Sequence, residues 1–198
     1  MHLRRGYTAA MDSKALSDVR VAILVEDAFE QVEMTEPRKA LDAAGAKTVL
    51  VSPHAPAVRG WNHQEPAQSF NVDLALDQAK ADDFDALLLP GGVQNPDKLR
   101  TQPEAVEFVR QFAEQRKPIA AICHAPWMLV EAGIAKGRRL ASWPSLKTDI
   151  RDAGGTWVDE MVVEDNGIVT SRKPDDIPAF NEKMIALFAR ARPTRSAR

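Results

Sequence analysis

The chain has 198 residues, 26 of them Lys or Arg and 28 Asp or Glu, for a formal net charge of −2. That balance argues against a nucleic-acid partner, which calls for a strongly basic surface; 44% hydrophobic and 27% charged residues exclude a disordered or fibrous chain and supply one sizeable core. No apolar run approaches the roughly 20 residues of a membrane helix, and the first ten residues hold no apolar stretch for a secretory signal, so the expected compartment is the cytoplasm.

Residues 1–18 mix charged and small residues without a period and are expected to be a mobile extension, with Met11 an alternative start. The folded domain is expected over 19–189, followed by a basic solvated tail at 190–198. Residues 20–25 (RVAILV) form a short continuous apolar run that predicts a buried strand. Residues 36–44 predict a helix, with Pro37 in its first turn and Gly45 at its end. A second strand is expected at 47–51, and the polar stretch 59–70, punctuated by Gly60 and Pro66, predicts a hairpin or excursion. Residues 86–89 are a third buried strand, broken by Pro90-Gly91-Gly92. Thr101-Gln-Pro-Glu104 has the form of a capping box; the helix it opens carries Ala105, Phe108, Val109, Phe112 and Ala113 on one face.

Residues 119–122 are a fourth strand, running into Cys123 and a helix over 126–132 stopped by Gly133. A helix over 145–153, short strands near 157–163 and 168–171, and a last helix with Ile177, Phe180, Met184, Ile185 and Phe188 on one face complete the chain. Short apolar strands alternating with amphipathic helices predict a single-domain α/β three-layer sandwich, flavodoxin-like, its mostly parallel sheet covered by helices on both faces.

Cys123 is the only cysteine, which forbids an internal disulfide, and no His or Cys pairs stand at the spacing of a structural zinc site. The thiol lies where a buried strand hands over to a helix, flanked by the small residues Ala121 and Ala125. This is the layout of a nucleophile elbow, which aims backbone N–H groups and a helix end at the side chain, and such surroundings lower a thiol pKa below the usual 8.5 or so. The alternative is a buried structural cysteine. His124 adjoins the sulfur as a proton partner or an orienter. Gly91 and Gly92 end another strand and would present unhindered N–H groups as an oxyanion hole. Glu26, Asp27, Glu30 and Glu33 crowd the end of the first strand; one of them, buried beside Cys123, would keep its proton. The first strand–helix turn lacks the glycines of a dinucleotide site, no phosphate-binding loop or H-E-x-x-H zinc motif occurs, and neither cofactor nor metal is expected. His54 and His63 are expected at the surface, Trp61 and Trp157 in core or interface, and Trp127 and Trp143 as walls of a pocket.

Three motifs in chain order, Phe29-Glu-Gln-Val-Glu33 before Pro37, Asp85-Ala-Leu-Leu-Leu-Pro-Gly-Gly92 and Ala121-Ile-Cys-His-Ala-Pro126, closely resemble the PfpI/ThiJ superfamily, also called the parkinsonism-associated deglycase superfamily. The resemblance runs from Arg20 to about Ala189, and Ser142-Trp-Pro-Ser145 with Asn95-Pro-Asp97 resembles its PfpI-type branch of intracellular proteases and general stress proteins. The resemblance implies Cys123 as nucleophile, His124 as its partner, Glu33 or Glu30 as the acid touching the thiol, and Asp97 as an acid reaching the histidine of a neighbouring subunit in a homo-oligomer, at least a dimer. Trp143 stands where some relatives have a tyrosine, and Ala125 where many have glycine. Three activities follow from the resemblance: a cofactor-free glyoxalase or deglycase acting on reactive carbonyls, an intracellular cysteine peptidase, and a redox sensor that works by oxidation of Cys123.

Overall fold

A computed structural model describes residues 14–191. Strands buried on both faces read as unbroken apolar runs, and four of the runs above become the centre of a sheet. In chain order the elements are β1 (Arg20–Leu24), β2 (Phe29–Glu30), α1 (Gln31–Ala43), β3 (Lys47–Ser52), β4 (Ala57–Asn62), β5 (Glu65–Asn71), β6 (Leu74–Ala75), β7 (Ala86–Leu89), α2 (Gln94–Leu99) and α3 (Pro103–Glu114). They continue as β8 (Ile119–Ile122), α4 (Pro126–Glu131), β9 (Arg139–Leu140), α5 (Lys147–Asp152), β10 (Thr156–Trp157), β11 (Val162–Asp165), β12 (Ile168–Ser171) and α6 (Ile177–Arg190).

The main sheet has seven strands in the order β11-β12-β8-β7-β1-β3-β6, parallel throughout except for the antiparallel edge strand β11. β4 and β5 form the expected hairpin, which pairs with β2 in a separate three-stranded sheet. Side chains alternate across a strand, so the main sheet feeds two cores. Ala22, Leu24, Leu87 and Leu89 face the layer of α3, α4 and α5, where Phe84, Phe108 and Phe112 pack ring to ring at 5.2–6.5 Å. Val21, Ile23, Leu88 and Ile122 face α1 and α6, against Met34, Leu41, Phe180 and Phe188. The architecture is the expected three-layer sandwich. Among the described residues no helix is long and apolar enough to cross a membrane.

Several boundaries differ from the sequence reading. Leu16, expected in a mobile extension, is fully buried, and its N–H donates to the Ala44 carbonyl at 2.8 Å; residues 1–13 lie outside the described part. α1 starts at Gln31, five residues before the expected position, so Pro37 lies in its middle. The helix accommodates this proline because its other turns are held by burial of Met34 and Leu41. The Thr101 capping box does not form. α3 begins at Pro103, whose fixed φ suits a first helical position, and the Thr101 hydroxyl turns back to the Lys98 carbonyl at 2.7 Å. Arg190, assigned to the tail, closes α6 and pairs with Glu164; residues 192–198 lie outside the described part.

Candidate functional site

Parallel strands present their carboxyl ends to one edge, and the pairings Ile23↔Leu88 and Leu89↔Ala121 bring the loops after β1, β7 and β8 together there. Cys123 follows β8 directly. Its φ is +64°, a left-handed backbone that lifts the side chain out of the strand line. The turn is tied down on both sides, by the Cys123 N–H to the Ser171 carbonyl at 3.1 Å and by the Trp143 N–H to the Cys123 carbonyl at 2.8 Å.

Gly91 lies between Glu33 and Cys123 with no room for a side chain: a Cβ there would come within 2.4 Å of Glu33 Oε2 and 2.7 Å of Cys123 Cβ. Its N–H donates to Glu33 Oε2 at 3.1 Å, so it is committed to that acid. Gly91 is a spacer, contrary to the expectation of an oxyanion donor. Gly92, at φ +84°, and His124 instead direct their N–H groups at the Cys123 sulfur. Asn95 fastens this loop. It is fully buried, its Nδ2 donates to the carbonyls of Pro90 (2.9 Å) and Gly91 (3.1 Å), and its Oδ1 accepts the Glu26 N–H at 2.7 Å.

Of the two candidate acids, Glu33 is the one that meets the thiol. It is fully buried in the first turn of α1. Desolvation pushes its pKa from 4.5 up to about 8, helped by the charge of Glu30 and opposed by hydrogen bonds with Cys123, Gly91 and Gly92. Glu30 is turned toward the hairpin, where it accepts the His63 N–H at 3.0 Å.

The expectation of an acidified thiol is corrected. Burial pushes the Cys123 thiol well above its ordinary range, the neighbouring Glu33 charge adds to this, and the Gly92 and His124 N–H groups only partly oppose it. α4 is six residues long, and a helix end offers at most about 1 kcal/mol at ordinary exposure, whereas burial shifts a group by up to 3–5 units. With Glu33 protonated the like-charge repulsion disappears; its second oxygen, Oε1, is buried without a hydrogen-bond partner among the described residues.

His124 is buried and desolvation lowers its pKa to about 4, so the ring is neutral at pH 7. Its Nδ1 lies 3.2 Å from Cys123 Sγ and its Nε2 3.3 Å from Ser145 Oγ. Trp143 stacks on the ring at 5.8 Å and Trp127 tilts against it at 5.3 Å. Trp127 therefore supports the histidine from behind, donating its own N–H to Asp149 at 2.6 Å, and is absent from the pocket lining, contrary to expectation.

The thiol opens into a cavity of about 350 Å³ lined by Glu30, Glu33, Gly92, His124 and Trp143, and also by Trp61, His63 and Gln64 from the β4–β5 hairpin. His63 is exposed as expected, yet it stands at the mouth of this cavity, and Trp61 forms part of its wall. Asp97 is exposed on α2 and does not line the cavity. Glu26, Asp27 and His54 come within 4.8 Å of one another at a separate place, where the His54 ring bridges the two carboxylates at 3.5 and 3.6 Å. Ser145, Asn95, Trp61 and His63 were not singled out by sequence reasoning as site residues.

A doubly wound α/β sandwich with a cysteine on a left-handed turn after a central strand, an acid from α1 behind it and a histidine beside it, defines a class of thiol-bearing single-domain proteins. The chain belongs to the DJ-1/PfpI family, whose sequence pattern matches residues 19–187. It is 40% identical over 171 residues to general stress protein 18 of Bacillus subtilis, covering 85% of this chain and 97% of that one. It is 38% identical over 171 residues to protein/nucleic acid deglycase 2 of Escherichia coli, with the same shares covered. The crystal structure of Drosophila melanogaster DJ-1beta superposes with a TM-score of 0.79 at 27% identity, over 88% of this chain and 91% of that one.

Proposed function

We propose that this protein is a stress-related, cysteine-dependent enzyme of glyoxalase or deglycase type, acting on reactive dicarbonyls or the adducts they form. The observation that carries the reading is the placement of the one thiol of the chain at a cavity of about 350 Å³, touched by a buried acid that keeps its proton and by a neutral imidazole. The names of the stress-protein and deglycase relatives support the same direction.

With methylglyoxal the sequence of steps balances without an oxidant. Cys123 Sγ bonds to the aldehyde carbon, and its proton ends on the carbonyl oxygen, giving a hemithioacetal whose oxygen faces the Gly92 and His124 N–H groups. With a pKa of about 8, Glu33 is carboxylate in a fraction of molecules near neutral pH, and in that form it takes the proton from that carbon and returns it to the neighbouring one. The product is a thioester of Cys123, which water hydrolyses to a 2-hydroxy acid and the free thiol.

The test compares purified protein with Cys123→Ala on methylglyoxal, with and without glutathione and chelator, alongside fluorogenic peptides. Turnover that needs Cys123 and neither additive is expected, with peptide cleavage at background. Cys123-dependent peptide cleavage with inert dicarbonyl would make the protein a peptidase. Inertness toward both, together with selective Cys123 sulfinate under mild peroxide by intact mass, would make it a sensor.

A further inference from the structure

We propose that Glu30 is the positioning residue of the substrate-binding wall: it ties the tip of the β4–β5 hairpin to the loop beside the thiol, which makes Trp61 one side of a subsite for an apolar substituent on the dicarbonyl. The inference rests on the reading of Cys123 as a nucleophile toward dicarbonyls.

Outward from the sulfur the ties form one chain. Gly91 packs against Cys123, so closely that a Cβ on it would come within 2.7 Å of the Cys123 Cβ. The Gly91 carbonyl accepts the Glu30 N–H at 3.2 Å, and Glu30 Oε2 in turn accepts the His63 N–H at 3.0 Å. His63 opens the two-residue turn between β4 and β5 with a φ of +56°, a backbone that a residue with a side chain keeps only where its surroundings fix it. The other ties lie farther from the turn. The Arg59 N–H donates to Asp27 Oδ1 at 2.7 Å and its carbonyl accepts the Ala28 N–H at 2.9 Å, while Gln68 exchanges hydrogen bonds with the Gln31 side chain at 2.8 and 3.0 Å. These hold the body of the hairpin, and Glu30 holds its tip.

The tip is the part that lines the cavity. It brings Trp61, His63 and Gln64, and the second indole of the lining, Trp143, stacks on His124 at 5.8 Å beside the sulfur. Two indoles at one cavity offer broad, rigid apolar surface to a substituent carried by the reacting carbonyl. Glu30 therefore acts through the hairpin, while Glu33 meets the sulfur. The class of substrate this wall selects is a 2-oxoaldehyde whose substituent is apolar and larger than the methyl of methylglyoxal.

The experiment uses the full-length protein as wild type, Glu30→Gln, Glu30→Ala and Trp61→Ala. Turnover of phenylglyoxal and methylglyoxal gives kcat and KM, and alkylation of Cys123 by N-benzyliodoacetamide and by iodoacetamide is followed by intact mass, each rate referred to that of glutathione with the same reagent. Wild type should favour the aryl member of each pair about tenfold, in turnover through KM. Glu30→Ala and Trp61→Ala should both lose that preference, by a rise in KM for phenylglyoxal that exceeds any change in kcat. Glu30→Gln should keep it, because the amide oxygen still accepts the His63 N–H. Both Glu30 substitutions remove the same charge from beside Glu33, so the difference between them reads the hydrogen bond. A preference that survives Glu30→Ala, or that Glu30→Gln loses as fully, would overturn the proposal. So would a wild type without preference, or a preference kept in Trp61→Ala, neither of which needs a Glu30 variant to fold. Alkylation needs no turnover. A protein inert toward both dicarbonyls whose alkylation follows the expected pattern loses the proposed activity and keeps the subsite, whereas turnover without aryl preference keeps the activity and removes the subsite.

Discussion

Glu33 and His124 flank one sulfur, and they tilt the pH dependence of folding in opposite directions. Glu33 holds its proton to about pH 8 in the folded chain, against 4.5 for a free side chain. The folded state therefore binds more protons between those values, and stability falls as pH rises through that window, by at most about 1.4 kcal/mol per unit. His124 is neutral down to about pH 4, against the usual 6.5, so the folded state binds fewer protons there and stability falls as pH drops from 6.5 to 4. The two effects oppose each other between about 4.5 and 6.5, and only that of Glu33 acts from there to about 8. Thermal denaturation across pH 6.5–8 should show a falling Tm in wild type and a nearly flat one in Glu33→Gln; an equal slope in both would place the proton elsewhere. At Gly91, a methyl group would have to displace both Glu33 and Cys123. Gly91→Ala should abolish dicarbonyl turnover at least a hundredfold even where circular dichroism shows a folded chain, and near-normal turnover would mean that the loop yields at little cost.

The β4–β5 hairpin supplies pocket walls and no reacting group, so its residues should govern binding. Trp61→Ala should raise KM severalfold while kcat changes little; a loss confined to kcat would place Trp61 in the chemistry. The hairpin also marks what a linear reading misses. The buried strands are legible because both of their faces are apolar, and Cys123, His124, Glu33 and Gly92 are legible because each lies at or just beyond the end of a strand. Trp61 and His63 join the site only when β4 pairs with β2, and Ser145 only when the Trp143 N–H caps the elbow. No local pattern records either return. The misplaced start of α1 has the opposite origin: Pro37 carries a strong local signal for a first turn, and burial of the helix overrides it. Trp127 was expected to wall the pocket for its proximity in sequence, but helical geometry carries it behind His124.

Among the described residues the large apolar side chains left exposed are Val93, Trp143 and Met161, and the first two stand at the mouth of the cavity. Large apolar residues gathered at one mouth favour burial against another surface, and sedimentation should show a species larger than a monomer. Mixing Cys123→Ala with Asp97→Asn subunits under exchange then tests whether an acid acts between subunits. If it does, Asp97→Asn is weak on its own and the mixture regains activity; an Asp97→Asn variant as active as wild type would remove the acid from the mechanism.

The backbone at Cys123 is one that L-residues avoid. A left-handed conformation costs a side-chain-bearing residue about 1–2 kcal/mol, and glycine would relieve it while losing only about 0.4–1 kcal/mol through the greater freedom of its unfolded chain. Cys123→Gly should therefore be at least as stable as Cys123→Ala, the reverse of the order found at ordinary strand and helix positions. The fold on its own would drift toward glycine at this turn. Descendants of this chain released from selection for thiol chemistry should lose the cysteine early and keep the sandwich intact, leaving a stable scaffold with an unstrained, empty elbow.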